Sequence, residues 1–367
     1  MNRRRTIKVL GGAAVSALLG SGARSRLFES TDRIATIIDG NLVAPIDPTK
    51  TLDAGTSAHV RSSGLTAFKM TLGGSGNRNK AETDAELAGL ANGIAINPDL
   101  FMKIVTAEDF ALARRTGRIG IIFSFEAAEM LEGRVENIDH FRSAGVLVMG
   151  LSYNGITPFA SGVLAPRSTG LTQLGHDAVC HMNTLGVTVD VSHSDEPSSM
   201  GALSVSARPL LITHAGCAAV HPHPRNKSDS LLHALAEKGG VVGIYELSYL
   251  VSSPAQPTLD DYLAHLVHAL GVCGEDHVGI GTDGLLTPFD TSPENMKAWS
   301  AEIERRRVTG VGAPGEGPPP FVIGLNRPDR YAVIGDALRR RGYSSRIVDK
   351  VLGQNFERVF RETWKSD

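Results

Sequence analysis

Apolar positions along this chain fall into short runs rather than long stripes. Eight such runs, at residues 33–39, 65–72, 118–125, 146–151, 187–192, 210–213, 241–247 and 278–282, are mostly rich in Val, Ile, Leu or Ala. Between them lie stretches at 81–91, 107–115, 174–185, 231–237 and 259–270 with a helix-like pattern of apolar and polar residues. A strand buried on both faces reads as a continuous apolar run, whereas the helix that covers it needs only one apolar face. The alternation therefore predicts parallel βαβ units, and eight of them predict an α/β chain closed into a (β/α)8 TIM barrel rather than an open sheet. Gly117, Gly145, Gly186 and the pair Gly239 and Gly240 introduce successive strands, where a helix-ending residue favours positive φ. Residues 309–320, TGVGAPGEGPPP, are too rich in Pro and Gly for helix or strand and read as a surface loop after the eighth strand, near the barrel mouth. Residues 344–364 predict a closing amphipathic helix.

The amino terminus follows a different logic. Arg3, Arg4 and Arg5 precede an apolar stretch from 9 to 19 that is too short to cross a bilayer comfortably. Residues 1–25 are therefore read as a twin-arginine signal peptide, with Ser21, Gly22 and Ala23 as small residues suited to cleavage. The expected location is periplasmic or secreted, without a stable membrane anchor, and residues 30–367 are expected to form one catalytic barrel. Hydrophobic residues make up 42% of the 367, charged residues 21%, and the formal net charge is -2. Such a near-neutral balance excludes a nucleic-acid partner from the expectations. The three cysteines, Cys180, Cys217 and Cys273, contain no CxxC pair and are expected to be free and mostly buried thiols.

The chemistry gathers where a barrel of this kind places its active site, at the carboxyl ends of the strands. The third run ends at Glu126, the fifth at His193, the sixth at His214 and the eighth at Asp283, with Tyr153 after the fourth and Asp39 and Asn41 after the first. A lone histidine at a strand end is commonly structural, and a lone carboxylate can simply cap a helix. Two imidazoles and two carboxylates at four separate strand ends instead suit a zinc site with a coordination position left open for water.

The ordered motifs around these residues resemble one family. GLTQLGHDAVCHMNTLGVTVDVSHSD, then ARPLLITHAGCAAVHPHPRN, then VGIGTDG and finally GQNFERVF are similar to stretches of the membrane (renal) dipeptidases, zinc peptidases of the amidohydrolase superfamily. The likeness covers most of residues 33–367 and is strongest from 171 to 284. It implies a metal-dependent amide hydrolase on a TIM barrel, acting on a dipeptide or related N-acyl amino acid, with a homodimer as the expected assembly. By the same resemblance Glu126 is the glutamate shared by two zinc ions, and His193 and His214 are ligands of the second zinc. Asp283 is a metal-site carboxylate that handles the proton of amide cleavage, and Arg225 holds the substrate's terminal carboxylate.

Two places depart from the family pattern. The first strand of the family carries D-G-H-x-D, whose His and Asp bind the first zinc; here it reads Asp39-Gly40-Asn41-Leu42-Val43. Valine cannot ligate, and a neutral carboxamide is a poor zinc ligand. The strand-four T-H-N reads Ser152-Tyr153-Asn154, so Tyr153 takes over donation to the oxyanion and, with Asn154, contact with the substrate. Glu126, His193 and His214 remain as a three-ligand set, so one zinc ion is favoured, with two as the alternative. Two other readings stay open: an inactive barrel that binds a peptide or small carboxylate, and a lactone or ester hydrolase on the same scaffold.

Overall fold

A computed structural model describes residues 36–364, and the signal-peptide reading of residues 1–25 lies outside them. Eight parallel strands form the barrel: β1 (Ile38–Asp39), β2 (Ala67–Leu72), β3 (Ile119–Phe125), β4 (Val146–Gly150), β5 (Thr188–Asp190), β6 (Leu211–Ala215), β7 (Val241–Ile244) and β8 (Val278–Ile280). Each pairs with the next in sequence, and β8 returns to β1 through Asp39 opposite Ile280, so the barrel closes in chain order. Seven of the eight apolar runs predicted as strands contain one of these eight, and the sixth, 210–213, overlaps Leu211–Ala215, which runs two residues further.

The glycines expected to end helices do so: Gly117, Gly145, Gly186 and Gly239 all have positive φ. Strong caps fix several helix starts, as at Asn79, whose side chain accepts from Glu82 N while the Glu82 carboxylate accepts from Asn79 N. Two further strand pairings were not expected. Phe101–Lys103 pairs with the first residues of β3, and Leu42–Val43 pairs with Gly284–Leu285 just beyond the ends of β1 and β8. A further helix, Pro293–Val308, precedes the Pro/Gly-rich loop. Among the described residues no helix is long and apolar enough to cross a membrane.

Side chains alternate between the helix layer and the barrel interior along each strand. In β3, Ile121, Phe123 and Phe125 belong to the large apolar cluster under the helices, while Ile122 belongs to a second cluster with Ile38, Ala67, Val148, Leu211 and Val241. That second cluster is the barrel floor, and the last helix seals it. The predicted closing helix is in fact two helices, Ser345–Asp349 and Asn355–Thr363, joined by a wider turn that breaks at Gly353. A Cβ on Gly353 would lie 2.6 Å from the Thr36 carbonyl oxygen and 2.7 Å from Ile38 N, so the backbone can approach β1 only as glycine. Asn355 donates to the carbonyls of Glu275 and Val278 at 2.9 and 2.8 Å, and the Phe356 ring packs against Gly40 and Gly279. The GQNFERVF motif thus closes the floor and takes no part in chemistry. Above the floor the interior turns polar, and Lys69, entirely buried on β2, lies 3.6 Å from Asp190 of β5.

Candidate metal centre and active site

The three residues expected to hold a metal converge. One ligand atom from each of Glu126, His193 and His214 lies within 4.8 Å of the others, at the carboxyl ends of β3, β5 and β6. The two Nε2 atoms are 3.0 Å apart, and His193 Nε2 is 3.4 Å from Glu126 Oε2.

The partners of the other ring nitrogens fix the tautomers. His193 Nδ1 faces Asn154 Oδ1 at 3.1 Å, and the Asn154 amide nitrogen donates to the Val311 carbonyl at 3.1 Å. The oxygen is therefore an acceptor, and His193 carries its proton on Nδ1. His214 Nδ1 faces Thr213 Oγ1 at 2.9 Å, while that hydroxyl gives its proton to Asp190 Oδ2 at 2.6 Å, so His214 is also protonated on Nδ1. Burial keeps both rings neutral: it moves His193, with help from the nearby Arg225 charge, down to about 4, and it holds His214 well below the ordinary histidine range. Burial opposes charge on Glu126, while the Lys69 ammonium nearby and the hydrogen bonds from Asn41 and Thr71 favour the ionised carboxylate.

Two unprotonated imidazole nitrogens thus face each other, 3.0 Å apart, beside an ionised carboxylate. Arg225 Nη2 donates to His193 Nε2 at 3.1 Å, but the His214 lone pair meets no proton on that neighbouring nitrogen. Such a concentration of electron pairs fits a cation, and the Asn154 carboxamide and the Asp190-bound Thr213 hydroxyl orient the two rings as carboxylates or backbone carbonyls commonly orient metal-binding histidines. The donor set of two nitrogens and carboxylate oxygen suits a transition metal of the zinc type.

Asp283, expected both as a ligand and as the proton carrier, stands slightly apart from this triad. Its Oδ2 is 4.0 Å from His214 Nε2, and its Oδ1 accepts from Asn41 Nδ2 at 2.7 Å. Burial, and next the Glu126 charge, push it up to about 7. Its backbone has a φ of 52°, in the left-handed region that few non-glycine residues adopt, and its N–H donates to the Asn41 carbonyl at 2.8 Å. Asn41 replaces a ligand with a clamp: its Nδ2 also donates to Glu126 Oε1 at 2.5 Å. Val43 is half exposed on the short outer strand, among the residues that line the cavity over the centre.

A cavity of about 380 Å³ opens above the centre, with Asn41, Glu126, His193, Arg225 and Asp283 among its walls. Tyr153 lies against it, stacked on the His193 ring with centroids 4.1 Å apart and its hydroxyl hydrogen-bonded to Arg306. Two expected substrate contacts are more deeply committed than their sequence context implied. Arg225 is buried, and its Nη1 donates to the Ser192 carbonyl at 2.5 Å; Asn154 spends its carboxamide on His193 and on Val311. The 309–320 loop does cover the mouth as expected. Lacking secondary structure of its own, it is held by donors to its carbonyls: Asn154 on Val311, His223 on Pro314, Ser248 on Gly315 and Trp299 on Gly317.

Several participants were not identified from the sequence: Lys69, Thr71, Asp190, Thr213, Arg306 and Glu316. Lys69 carried a signal, since a lysine inside an apolar strand run at the same parity as Thr71 must face the barrel interior. The cysteines are free, with Cys217 and Cys273 buried and Cys180 exposed.

The model of the membrane dipeptidase family, peptidase family M19, matches residues 56–309. The chain belongs to the membrane dipeptidase family. Members of M19 are metal-dependent hydrolases, which agrees with the electron-rich triad described above. Among curated relatives, dipeptidase tcpJ of Claviceps purpurea is 28% identical over 259 residues, covering 70% of this chain and 54% of the relative. The chain thus spans about half the length of that relative. A protein of the pqqA 5′ region in Klebsiella pneumoniae is 28% identical over 76% of this chain and 95% of its own length. The fold matches a crystal structure of an amidohydrolase from Pseudomonas aeruginosa with a TM-score of 0.75 and 25% identity, over 90% of this chain and 97% of that one. It also matches a Rhodobacter sphaeroides metallopeptidase solved with a phosphinate mimic of the dipeptide L-Ala-D-Ala, with a TM-score of 0.70 and 20% identity, over 90% and 99%.

Proposed function

We propose that this family member is a one-metal, zinc-dependent amide hydrolase that cleaves a dipeptide or a related N-acyl amino acid. The observation that carries the reading is the pair of neutral, inward-facing imidazole lone pairs beside Glu126 at the base of a walled cavity. Glu126, His193 and His214 would hold the ion. Bound there, it supplies Lewis-acid polarisation of the scissile carbonyl and acidifies water. Asp283, held through Oδ1 by Asn41 and part of the cavity wall, accepts the proton of the attacking water and returns it to the leaving nitrogen. The Tyr153 hydroxyl, steadied by Arg306, donates to the oxygen that gains charge. Arg225 gives the cavity a fixed positive charge for the substrate's carboxylate. The Pro/Gly-rich loop excludes water from above.

The test pairs two near-isosteric variants. Asp283→Asn keeps the ion and the fold and loses on the order of 10²-fold or more in kcat, because a carboxamide cannot act as a base. Glu126→Gln loses metal first. Metal content is measured by mass spectrometry and hydrolysis on a panel of dipeptides, N-acyl amino acids and lactones. A wild type that cleaves nothing on the panel yet binds a carboxylate ligand as well as Asp283→Asn does would overturn the hydrolase reading.

Export by the twin-arginine route belongs to the same proposal and rests on Arg3, Arg4 and Arg5 ahead of the short apolar run. A reporter fused behind the first 30 or so residues should reach the periplasm only where that pathway operates. Export that persists with all three arginines changed to lysine would rule the route out.

A further inference from the structure

The two oxygens of Glu126 face different surroundings. Oε2 faces His193, 3.4 Å from its Nε2, while His214 Nε2 lies 3.9 Å from Oε1. Oε1 accepts from Asn41 Nδ2 at 2.5 Å and from Thr71 Oγ1 at 2.8 Å, which occupies both of its lone pairs with protons of the chain itself. Thr71 accepts from Lys69 Nζ at 3.1 Å, and its only proton has Glu126 Oε1 at 2.8 Å as a nearer acceptor than Asn41 Oδ1 at 3.3 Å. The Lys69 ammonium lies 3.9 Å from Glu126 Oε1 and 3.6 Å from Asp190 Oδ2, and no part of its side chain is exposed. A buried charge of that kind persists only when paired, and here it is paired with the two carboxylates on which the centre depends. One is Glu126; the other, Asp190, holds the hydroxyl that orients His214.

We infer that Lys69, acting through Thr71 and Asn41, is a built-in cation that occupies the electrostatic place of a second metal and makes the centre mononuclear by construction. The inference rests on the one-metal reading above and adds the residue responsible. Loss of the strand-one ligands is then not the whole reason for a single ion. Even with a ligand restored, an ammonium 3.9 Å from Glu126 Oε1 repels a second cation. Lys69 touches neither substrate nor reacting atoms in this scheme, so it is a positioning residue.

The test counts metal and does not depend on activity. Wild type, Asn41→Asp, Asn41→Asp/Lys69→Met and Asn41→Asp/Lys69→Gln are equilibrated with excess zinc chloride. Each is passed through gel filtration, and metal per chain is measured by mass spectrometry, with circular dichroism and thermal melting as the check on folding. Asn41→Asp is nearly isosteric; it removes the clamp and adds a third carboxylate beside Glu126 and Asp283. The expected result is about one equivalent for wild type and for Asn41→Asp, and about two once Lys69 is also replaced. The Gln variant keeps a hydrogen-bonding terminus for Thr71 and Asp190 if the apolar one does not fold. Two equivalents in Asn41→Asp with Lys69 present, or one in a folded double variant, would overturn the role of Lys69 and leave the one-metal reading standing. Two equivalents in wild type would overturn both.

Discussion

On the β5–β6 side of the site, His193 and His214 present unprotonated ring nitrogens to the centre, each held in that state by an acceptor on its other nitrogen, and that of His193 also accepts from Arg225. On the β1–β2 side, Asn41, Thr71 and Lys69 present N–H and O–H groups to the same carboxylate. The two sides share Glu126: Oε2 faces His193, while Oε1 takes the protons of Asn41 and Thr71 and also lies 3.9 Å from His214 Nε2. The ring of strand ends therefore does not by itself make a binuclear site. What a strand end offers depends on whether it contributes an electron pair or a proton, and here one half contributes pairs and the other half protons.

The largest effect expected from this contrast comes from truncating either half. His214→Ala removes a ligand and should leave the purified protein essentially without bound zinc and without hydrolysis, whereas Asn41→Ala removes only a donor and should leave about one equivalent in place. Equal metal loss in the two variants would erase the distinction between the halves. A smaller effect is expected one bond further out. Thr213→Val deletes the hydroxyl that connects His214 Nδ1 to Asp190, and it should weaken zinc affinity about 10–100-fold, measured by competition with a chromogenic chelator. It should also lower stability by about 1–3 kcal/mol, because Asp190 Oδ2 loses a buried donor. Unchanged affinity in Thr213→Val would mean that the tautomer of His214 is set elsewhere.

The barrel and the metal triad were legible in the linear pattern for the same reason. Strands buried on both faces need apolar runs, and the residue just past each run must lie at the mouth, so Glu126, His193, His214 and Asp283 could be placed together without knowing any contact. Elements that bury little were not legible. Helix Pro293–Val308 has no buried residue; it carries no apolar stripe and is supported by a Ser292 cap and by Glu302–Arg305 and Glu304–Arg307 pairs, which leave no hydrophobic period to read. Strand Phe101–Lys103 is too short for its period to register. The closing helix was visible but not its break, because the break is imposed by the approach of Gly353 to the backbone of β1, a contact made more than 300 residues away in sequence.

The sequence by itself determined the architecture, the family and which strand ends carry side chains able to ligate a metal, since each of these depends on residue type and spacing alone. Only the tertiary structure decided what each polar group does. Whether Asn41 is a failed ligand or a clamp depends on Asp283, 242 residues away, and on Glu126, 85 away. Whether Arg225 is a surface charge or a buried neighbour of His193 depends on how its loop folds over β5. Lys69 acquires its role only where β2 and β5 face each other across the barrel and bring Asp190 to 3.6 Å. Hydrogen bonds and ion pairs are short-ranged and directional, so their partners are fixed by closure of the barrel and not by order along the chain.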